Sequence, residues 1–430
     1  MQKKIANFLF STRLTAVLFI VFAVAMATGT ILDRNMDTSP TPYTRQLIYN
    51  AWWFEAIMVF FVINFVGNIF RYGLHKKKKW ATLILHLSFI FILLGAFITR
   101  YIGHEGKMSI EEGQTESQFR SLKTYVTAYV VGNYEVDGVL QRYNFQREVD
   151  FSHRLDNDFD ETINYDNIPV NFNLQKFVKG AEKDIIPDES GDSYLKIVEA
   201  GDGAPHNHFL ESGKVSNMHN VLISLNKEQD GAINITNTDQ GLFIKSPYDG
   251  EYMTMATGTT GKLVKDSLQP LVLRSRYIIG NMQLVFPKPV VKGIFDIVKK
   301  PVILKSDEDG IVLDVTANGE TISANLLGGI GTYNNFEEIK VGGLEIALRY
   351  GSRLEQLPFQ IKLNDFIAEK YPGTEKAYSS YESKVTVLDK DQSEFDYHIY
   401  MNHVLDHKGY RFFQASFHPD EKGTILSVNH

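Results

Sequence analysis

Three stretches near the amino terminus carry too little charge to stay in water. Leu14 to Leu32 is nineteen residues without a charge, and Trp80 to Thr99 is twenty, uncharged apart from whatever His86 carries. Ala56 to Phe70 is a further fifteen, and extending it back to Ala51 admits one acid, Glu55. About twenty apolar residues cross the hydrocarbon core of a bilayer as a helix. The reading is therefore three transmembrane α-helices, at about 14–32, 51–70 and 80–99, within a membrane region spanning residues 1–100.

Charge is divided between two environments. Residues 1–100 hold eleven Lys and Arg against Asp33, Asp37 and Glu55, a net of +8, which leaves −15 for residues 101–430 out of the total of −7. An acidic bulk repels phosphate, so nucleic acid is excluded as a partner. Lys3, Lys4 and Arg13 precede the first span, and Arg71 with Lys76 to Lys79 separate the second from the third. Only Arg34 and Arg45 lie between the first and second. By the positive-inside rule the amino terminus and the lysine cluster are cytoplasmic, and residues 101–430 are exported. The lysine run is read as a topology anchor against membrane lipid. Trp52-Trp53 is read as an interfacial aromatic belt where the second span begins. Ala25-Met26-Ala27 offers a signal-peptidase pattern, but the basic segment before it is short and apolar Ile31-Leu32 continue the span beyond it.

The exported part reads as β-rich. Ile311, Leu313 and Val315, then Leu344, Ile346 and Leu348, and Ile233 with Ile235, alternate with other residues as half-buried strands do. Asp137-Gly138, Asp230-Gly231, Asp249-Gly250 and Asn318-Gly319 read as hairpin turns. Asp184 to Gly213 reads as loop, and a short helix is expected around Asp365 to Lys370. The fold class is thus three membrane helices followed by a large exported, antiparallel β-rich, sandwich-like domain, read as one or two sandwiches over Tyr101 to His430. The chain has no cysteine, which excludes disulfides, thiol catalysis, iron–sulfur clusters and Cys-type zinc sites.

His86 is the residue that membrane physics does not explain. It lies seven residues into the third span, at a depth of roughly 10 Å from Lys79 at about 1.5 Å per residue. Ionisable groups inside bilayers are costly and face bundle interiors. Two readings are open: a histidine hydrogen-bonded to another helix, with Asn64 and Asn68 as partners, or a neutral imidazole ligating a metal such as haem iron. No second histidine lies within the spans, so a six-coordinate haem would take its other ligand from elsewhere. Among exported residues, His206 with His208 and His403 with His407 have spacings that suit metal pairs, but their surroundings read as turn or strand. No phosphate loop or Ser–His–Asp set is legible.

The ordered motifs resemble those of the ResB/CcsB proteins of system II cytochrome c biogenesis. In the amino-terminal part they are Ser11, Arg13-Leu14-Thr15, Gly29-Thr30, Trp52-Trp53-Phe54, Gly95, Glu105-Gly106 and Glu112-Gly113. The carboxy-terminal blocks are Pro358-Phe359, Asp365-Phe366, Tyr371-Pro372-Gly373, Ser383, Asn402, Leu405 and the run Gly409-Tyr410-Arg411-Phe412-Phe413-Gln414-Ala415-Ser416. Asp420 and Gly423-Thr424 complete them. The middle, roughly 120–340, matches only in being β-rich.

The resemblance implies a membrane protein of the bacterial inner membrane that handles haem b for covalent attachment to apocytochrome c. Its partner would be a CcsA-type membrane protein or a fused CcsA domain, which would supply the second axial ligand. His86 falls on the family's transmembrane histidine and is therefore expected to be the haem-iron axial ligand, through Nε2. The family has a fourth span after its exported domain, whereas this sequence stops at Asn429-His430, which leads us to expect a longer, fused chain. The Trp-rich motif and its flanking external histidines belong to the CcsA half, so this chain alone is not expected to complete the ligation. Rival readings are a structural docking module and a b-type electron-transfer cytochrome.

Overall fold

The computed structural model describes residues 2–34, 40–199, 206–304, 307–374 and 377–430. Helices run Gln2–Leu9, Thr12–Leu32, Trp52–Arg71 and Trp80–Tyr101, and strands dominate beyond Glu105. Three helices are long and apolar enough to cross a membrane. Hydrocarbon offers the backbone no hydrogen-bond partner, so a spanning segment closes its own bonds as a helix. Ser11 opens the first span by accepting the Leu14 N–H at 3.2 Å. Glycine permits close approach at two points: a methyl group on Gly29 would strike the Tyr49 ring, and one on Gly67 the Phe10 ring.

Polar contacts sort the two ends of the bundle. Asp33 is buried after the first span and receives the Thr41 and Thr44 hydroxyls at 2.7 and 2.9 Å. Arg45, in the same connection, donates from Nε to Asp150 at 3.0 Å and from a terminal nitrogen at 2.5 Å. Glu55, at the start of the second span, pairs with Arg100 and accepts the Tyr101 hydroxyl at 2.7 Å. At the other end Arg71 donates to the Asn7 and Phe10 carbonyls, both at 2.8 Å. The connection between the first two spans therefore lies at the same end as Asp150 of the β-rich part, and the lysine cluster lies at the opposite end.

The chain divides into two compact units, residues 1–182 with 299–430, and residues 183–298. The first unit has a ten-stranded antiparallel sheet built around two long strands, Thr115–Val136 and Leu344–Lys370. One half of this sheet shares a core with a four-stranded sheet that contains Asp309–Ala317 and Ile168–Val178. There Val126, Leu348, Leu313 and Phe172 are fully buried, and the Phe145 and Phe172 rings stack at 5.0 Å. The other half closes over Met108, Ile361, Val385, Phe412 and Leu426. Leu344–Lys370 serves both cores by changing face. It buries Leu344, Ile346, Leu348 and Tyr350, then Leu357, Phe359, Ile361 and Leu363, so the buried parity flips along it. The register with Thr115–Val136 shifts in that interval, which is how a strand turns its side chains over.

The second unit has a five-stranded and a seven-stranded sheet whose shared core includes Leu195, Ile197, Ile223, Ile233, Tyr277 and Phe286. Val221–Leu225 and Ile233–Thr238 pair in parallel.

The fold class stands, with local corrections. Asp365 to Lys370 is not helical; it is the end of strand Leu344–Lys370, paired to Tyr378–Leu388. The cross-strand ladder outweighs a weak helical pattern. Asp184 to Gly213 is not loop, for strands Ala181–Glu199 and His206–Glu211 pair within it; Pro205 falls outside the described residues. Asp137-Gly138 and Asn318-Gly319 are two-residue hairpin turns with positive φ at both positions. Asp230-Gly231 instead joins the parallel pair, and Asp249-Gly250 connects strands of different sheets. Hairpin turns also form at Asp166-Asn167 and His219-Asn220, again with positive φ at both residues.

Two outcomes follow. Because the chain lacks cysteine, single cysteines at Lys77 and Asp137 should react with a membrane-impermeant maleimide from opposite faces of sealed vesicles; labelling of both from one face would refute this arrangement. The second concerns Asp389, whose side chain is 1% exposed. It accepts Lys408 Nζ and His407 Nε2, each at 2.8 Å, and the Asp391 N–H at 3.0 Å. Lys408 first, then the Asp391 N–H and His407, hold its carboxyl well below the usual carboxylate range. A depressed folded-state pKa adds stability at neutral pH that is lost as pH falls below about 4, the unfolded value. Asp389→Asn should therefore unfold at lower temperature than wild type at pH 7, with the gap narrowing on acidification. A gap that stays constant down to pH 3 would contradict the assignment.

Candidate functional site

Trp80–Tyr101 is the helix that carries the candidate ligand, and none of its residues is buried. Its half-buried positions recur at Leu83, His86, Phe89, Ile90 and Leu93, a helical stripe. Phe89, Ile90 and Leu93 from this stripe pack against the cluster of Leu18, Ile57, Phe61 and Phe65. His86 thus sits on the seam toward the second span rather than on the lipid-facing side. Its ring meets Phe65 edge-on at 5.6 Å and 82°, and Phe65 stacks on Phe89 at 5.3 Å.

The hydrogen bond of the imidazole sets its chemistry. Nδ1 lies 2.9 Å from the Thr82 carbonyl oxygen, one turn earlier. A carbonyl only accepts, so Nδ1 carries the proton and Nε2 carries the lone pair. Among the described residues Nε2 has no hydrogen-bond partner. Metal-binding histidines are commonly held this way, with one nitrogen donating to a carbonyl and the other presented to the metal.

Asn64 and Asn68 do not partner His86. Asn64 donates to the Leu9 and Ser11 carbonyls at 2.6 and 3.1 Å and accepts the Thr15 hydroxyl at 2.6 Å. Asn68 donates to Asn64 at 2.9 Å. The two asparagines staple the second span to the segment that enters the first. Trp52 is 79% exposed at the start of its helix, as an interfacial residue would be, whereas Trp53 packs against the cluster of Ala25, Ile48 and Phe54.

The other histidine pairs are committed elsewhere. His208 lies on a strand, and its Nε2 is 3.0 Å from Glu199, whose same oxygen is 3.2 Å from His219 Nε2. His206 faces Glu199 across the ladder. His403 lies between the Tyr397 and Tyr400 rings at 5.1 and 4.5 Å and bonds the His398 carbonyl through Nδ1 at 2.6 Å. His407 belongs to the Asp389 cluster. Among the described residues no three His, Cys, Asp or Glu side chains are grouped to hold a metal ion. The Asp389 cluster and the Arg45–Asp150 pair escaped sequence reasoning because their members are joined only by the fold. Glu55, the single acid in its span, was the one visible hint of a membrane-end pair.

Comparison with known proteins agrees with this organisation. Residues 324–429, from strand Glu320–Gly328 through Gly423–Asn429, match the ResB-like family. The chain is 23% identical over 413 residues to Protein NrfI of Wolinella succinogenes, an alignment covering 96% of this chain and 31% of NrfI. The chain therefore spans about a third of the length of this curated relative. With a family match on its last strands and similarity along nearly all its length, the resemblance to the ResB/CcsB proteins drawn from the motifs is borne out.

Proposed function

We propose that this chain takes part in cytochrome c biogenesis as the haem-handling membrane component of a system II synthetase. The coarser reading, a part in cytochrome c biogenesis, is supported by the ResB-like match and by the similarity to NrfI. The finer reading is carried by one observation: His86 lies on an interhelical seam with Nδ1 tied to a carbonyl and Nε2 bare. A histidine with a purely structural role in hydrocarbon would gain by engaging both nitrogens. Here one is left presented.

In this reading His86 Nε2 would hold haem iron, near the cytoplasmic end of the third span. A CcsA-type partner or fused domain would supply the other nitrogen and would carry the ligation chemistry to apocytochrome c. Bound haem would supply an iron whose oxidation state responds to its axial nitrogens and to the dryness of the pocket. What this chain contributes is an orienting imidazole of fixed tautomer, a ring wall from Phe65 and Phe89, and an open helix face for a second subunit or domain. The lysine cluster is assigned to the cytoplasm and the β-rich part to the extracytoplasmic side of the bacterial inner membrane.

Purified protein and its His86→Ala variant, expressed with the CcsA-type component, test this directly. The variant should lose most of its haem absorption and its cytochrome c maturation, and added imidazole should restore part of the low-spin spectrum. Equal haem content in both proteins would refute ligation by His86. Normal haem with failed maturation would shift the role to the β-rich part, and normal maturation with a fixed bis-ligated haem would favour electron transfer.

A further inference from the structure

On the face of the ten-stranded sheet turned away from the core, cations and rings alternate in a row. Along Thr115–Val136, Val126, Ala128 and Val130 enter the core, so Tyr129 lies on the opposite face. The Arg142 guanidinium, from strand Val139–Val149, lies over the Tyr129 ring at 4.5 Å. Tyr129 meets Phe336 at 4.9 Å and 38°. Arg349, in Leu344–Lys370, follows, its guanidinium 4.4 Å from the Phe336 ring and 3.7 Å from the Tyr333 ring. Tyr333 and Phe336 come from the connection after strand Glu320–Gly328.

Arg349 is 6% exposed, and burying a charge without a counter-charge is costly. Asp33 and Asp389, the other buried charged residues among those described, each receive hydrogen bonds from neighbours. The Arg349 guanidinium has neither a carboxylate nor a hydrogen-bond acceptor among the described residues; the contacts that hold it are the two rings. Its nitrogens are not sealed off, for Asn68 Oδ1 and His398 Nε2 are the only sealed side-chain polar atoms without a partner among the described residues. The edge of the fork, with its N–H donors, therefore reaches solvent. Arg142 is exposed and likewise has no carboxylate partner among the described residues. Arg353, by contrast, lies over Tyr125 at 4.9 Å but pairs with Glu355.

A guanidinium braced by rings presents a planar set of donors that matches a carboxylate. Two of them, unneutralised in a region that carries −15, make a local field of opposite sign to their surroundings. The row crosses three strands of a sheet face, whereas small ligands favour concave sites, so the partner that fits is a polypeptide. The row is also set apart from the membrane connection. Asp150, which Arg45 of that connection binds, lies eight positions from Arg142, roughly 26 Å of strand at ~3.3 Å per residue. Beyond the row the hairpin continues past its pairing with Leu344–Lys370, and Val136, Val139 and Leu140 at its tip are exposed. Tyrosine and arginine beside exposed apolar groups are the composition of protein-binding surfaces. We infer that the Arg142–Tyr129–Phe336–Arg349–Tyr333 row is a docking surface for an acidic segment of an extramembrane protein, with one carboxylate on each guanidinium edge. The inference is independent of the reading of His86.

Fluorescence anisotropy on the full chain in detergent tests this. The probe is a short fluorescein-labelled peptide of alternating Glu and Ser, and the control is its Gln-for-Glu counterpart. The Glu peptide should bind about tenfold more tightly. Arg142→Gln should weaken its binding about threefold, and Arg349→Lys, which keeps the charge and loses the fork, by a similar factor. Arg142→Gln combined with Arg349→Gln should leave the two peptides indistinguishable. Lys340→Gln, which removes the same charge from an exposed lysine paired with Glu345, should change nothing. Where an Arg349 variant fails to fold, Arg142→Gln decides, since that side chain is exposed. Equal binding of the two peptides by wild type overturns the proposal, as does an Arg142→Gln titration that matches wild type or one that Lys340→Gln reproduces. An Arg142-dependent response to phosphatidylglycerol-doped micelles, with none to the Glu peptide, overturns it in favour of a lipid surface.

Discussion

A polar side chain among lipid-spanning helices must be satisfied by protein, because hydrocarbon offers it nothing. Most polar side chains of the amino-terminal helices obey this rule, although Asn68 Oδ1 is buried without a hydrogen-bond partner among the described residues. Thr15, Asn64 and Asn68 form a chain of hydrogen bonds that ends on the Leu9 and Ser11 carbonyls. Glu55 is met by Arg100 and Tyr101, and Asp33 by Thr41 and Thr44. His86 obeys only half of it, and that asymmetry is the basis for assigning it chemistry. The Thr82 carbonyl holds the ring and chooses its tautomer, so the remaining nitrogen is a preformed donor of electrons.

The β-rich part is tied to the membrane helices by order of pairing. The strand that leaves the third span, Glu105–Glu111, pairs with Thr115–Val136, close to it in sequence, and along its whole length with Gly423–Asn429. The last strand of the sequence therefore returns to where the chain exits the helix. Most of the residues matched to the ResB-like family belong to this ten-stranded sheet, so the matched region is the part of the β structure next to the membrane exit. Residues 183–298 form a unit with its own core, built on its own two sheets.

Much of this was legible where a physical rule acts locally. Span helices follow from length and lack of charge. Asp309–Ala317 follows from strict alternation, with Ile311, Leu313 and Val315 fully buried. Asp137-Gly138 and Asn318-Gly319 follow from the left-handed backbone that a tight hairpin needs. The errors came where pairing overrode composition. Asp184–Glu199 is polar yet stranded, because partners on either side complete its ladder. Asp365–Lys370 is held extended by Tyr378–Leu388. Asp249-Gly250 has the composition of a hairpin turn, but its flanking strands were recruited by different sheets.

By itself the sequence determined that three segments must be helical in a membrane, that a large strand-forming region follows them, and that His86 is out of place among apolar neighbours. These are consequences of transfer free energy and backbone geometry, which depend on residues near in sequence. Only the tertiary structure decided that His86 meets Phe65, that Asp389 receives Lys408, and that His104 and His430 are neighbours. Those facts depend on contacts between residues tens or hundreds of positions apart, and no local rule encodes such a distance.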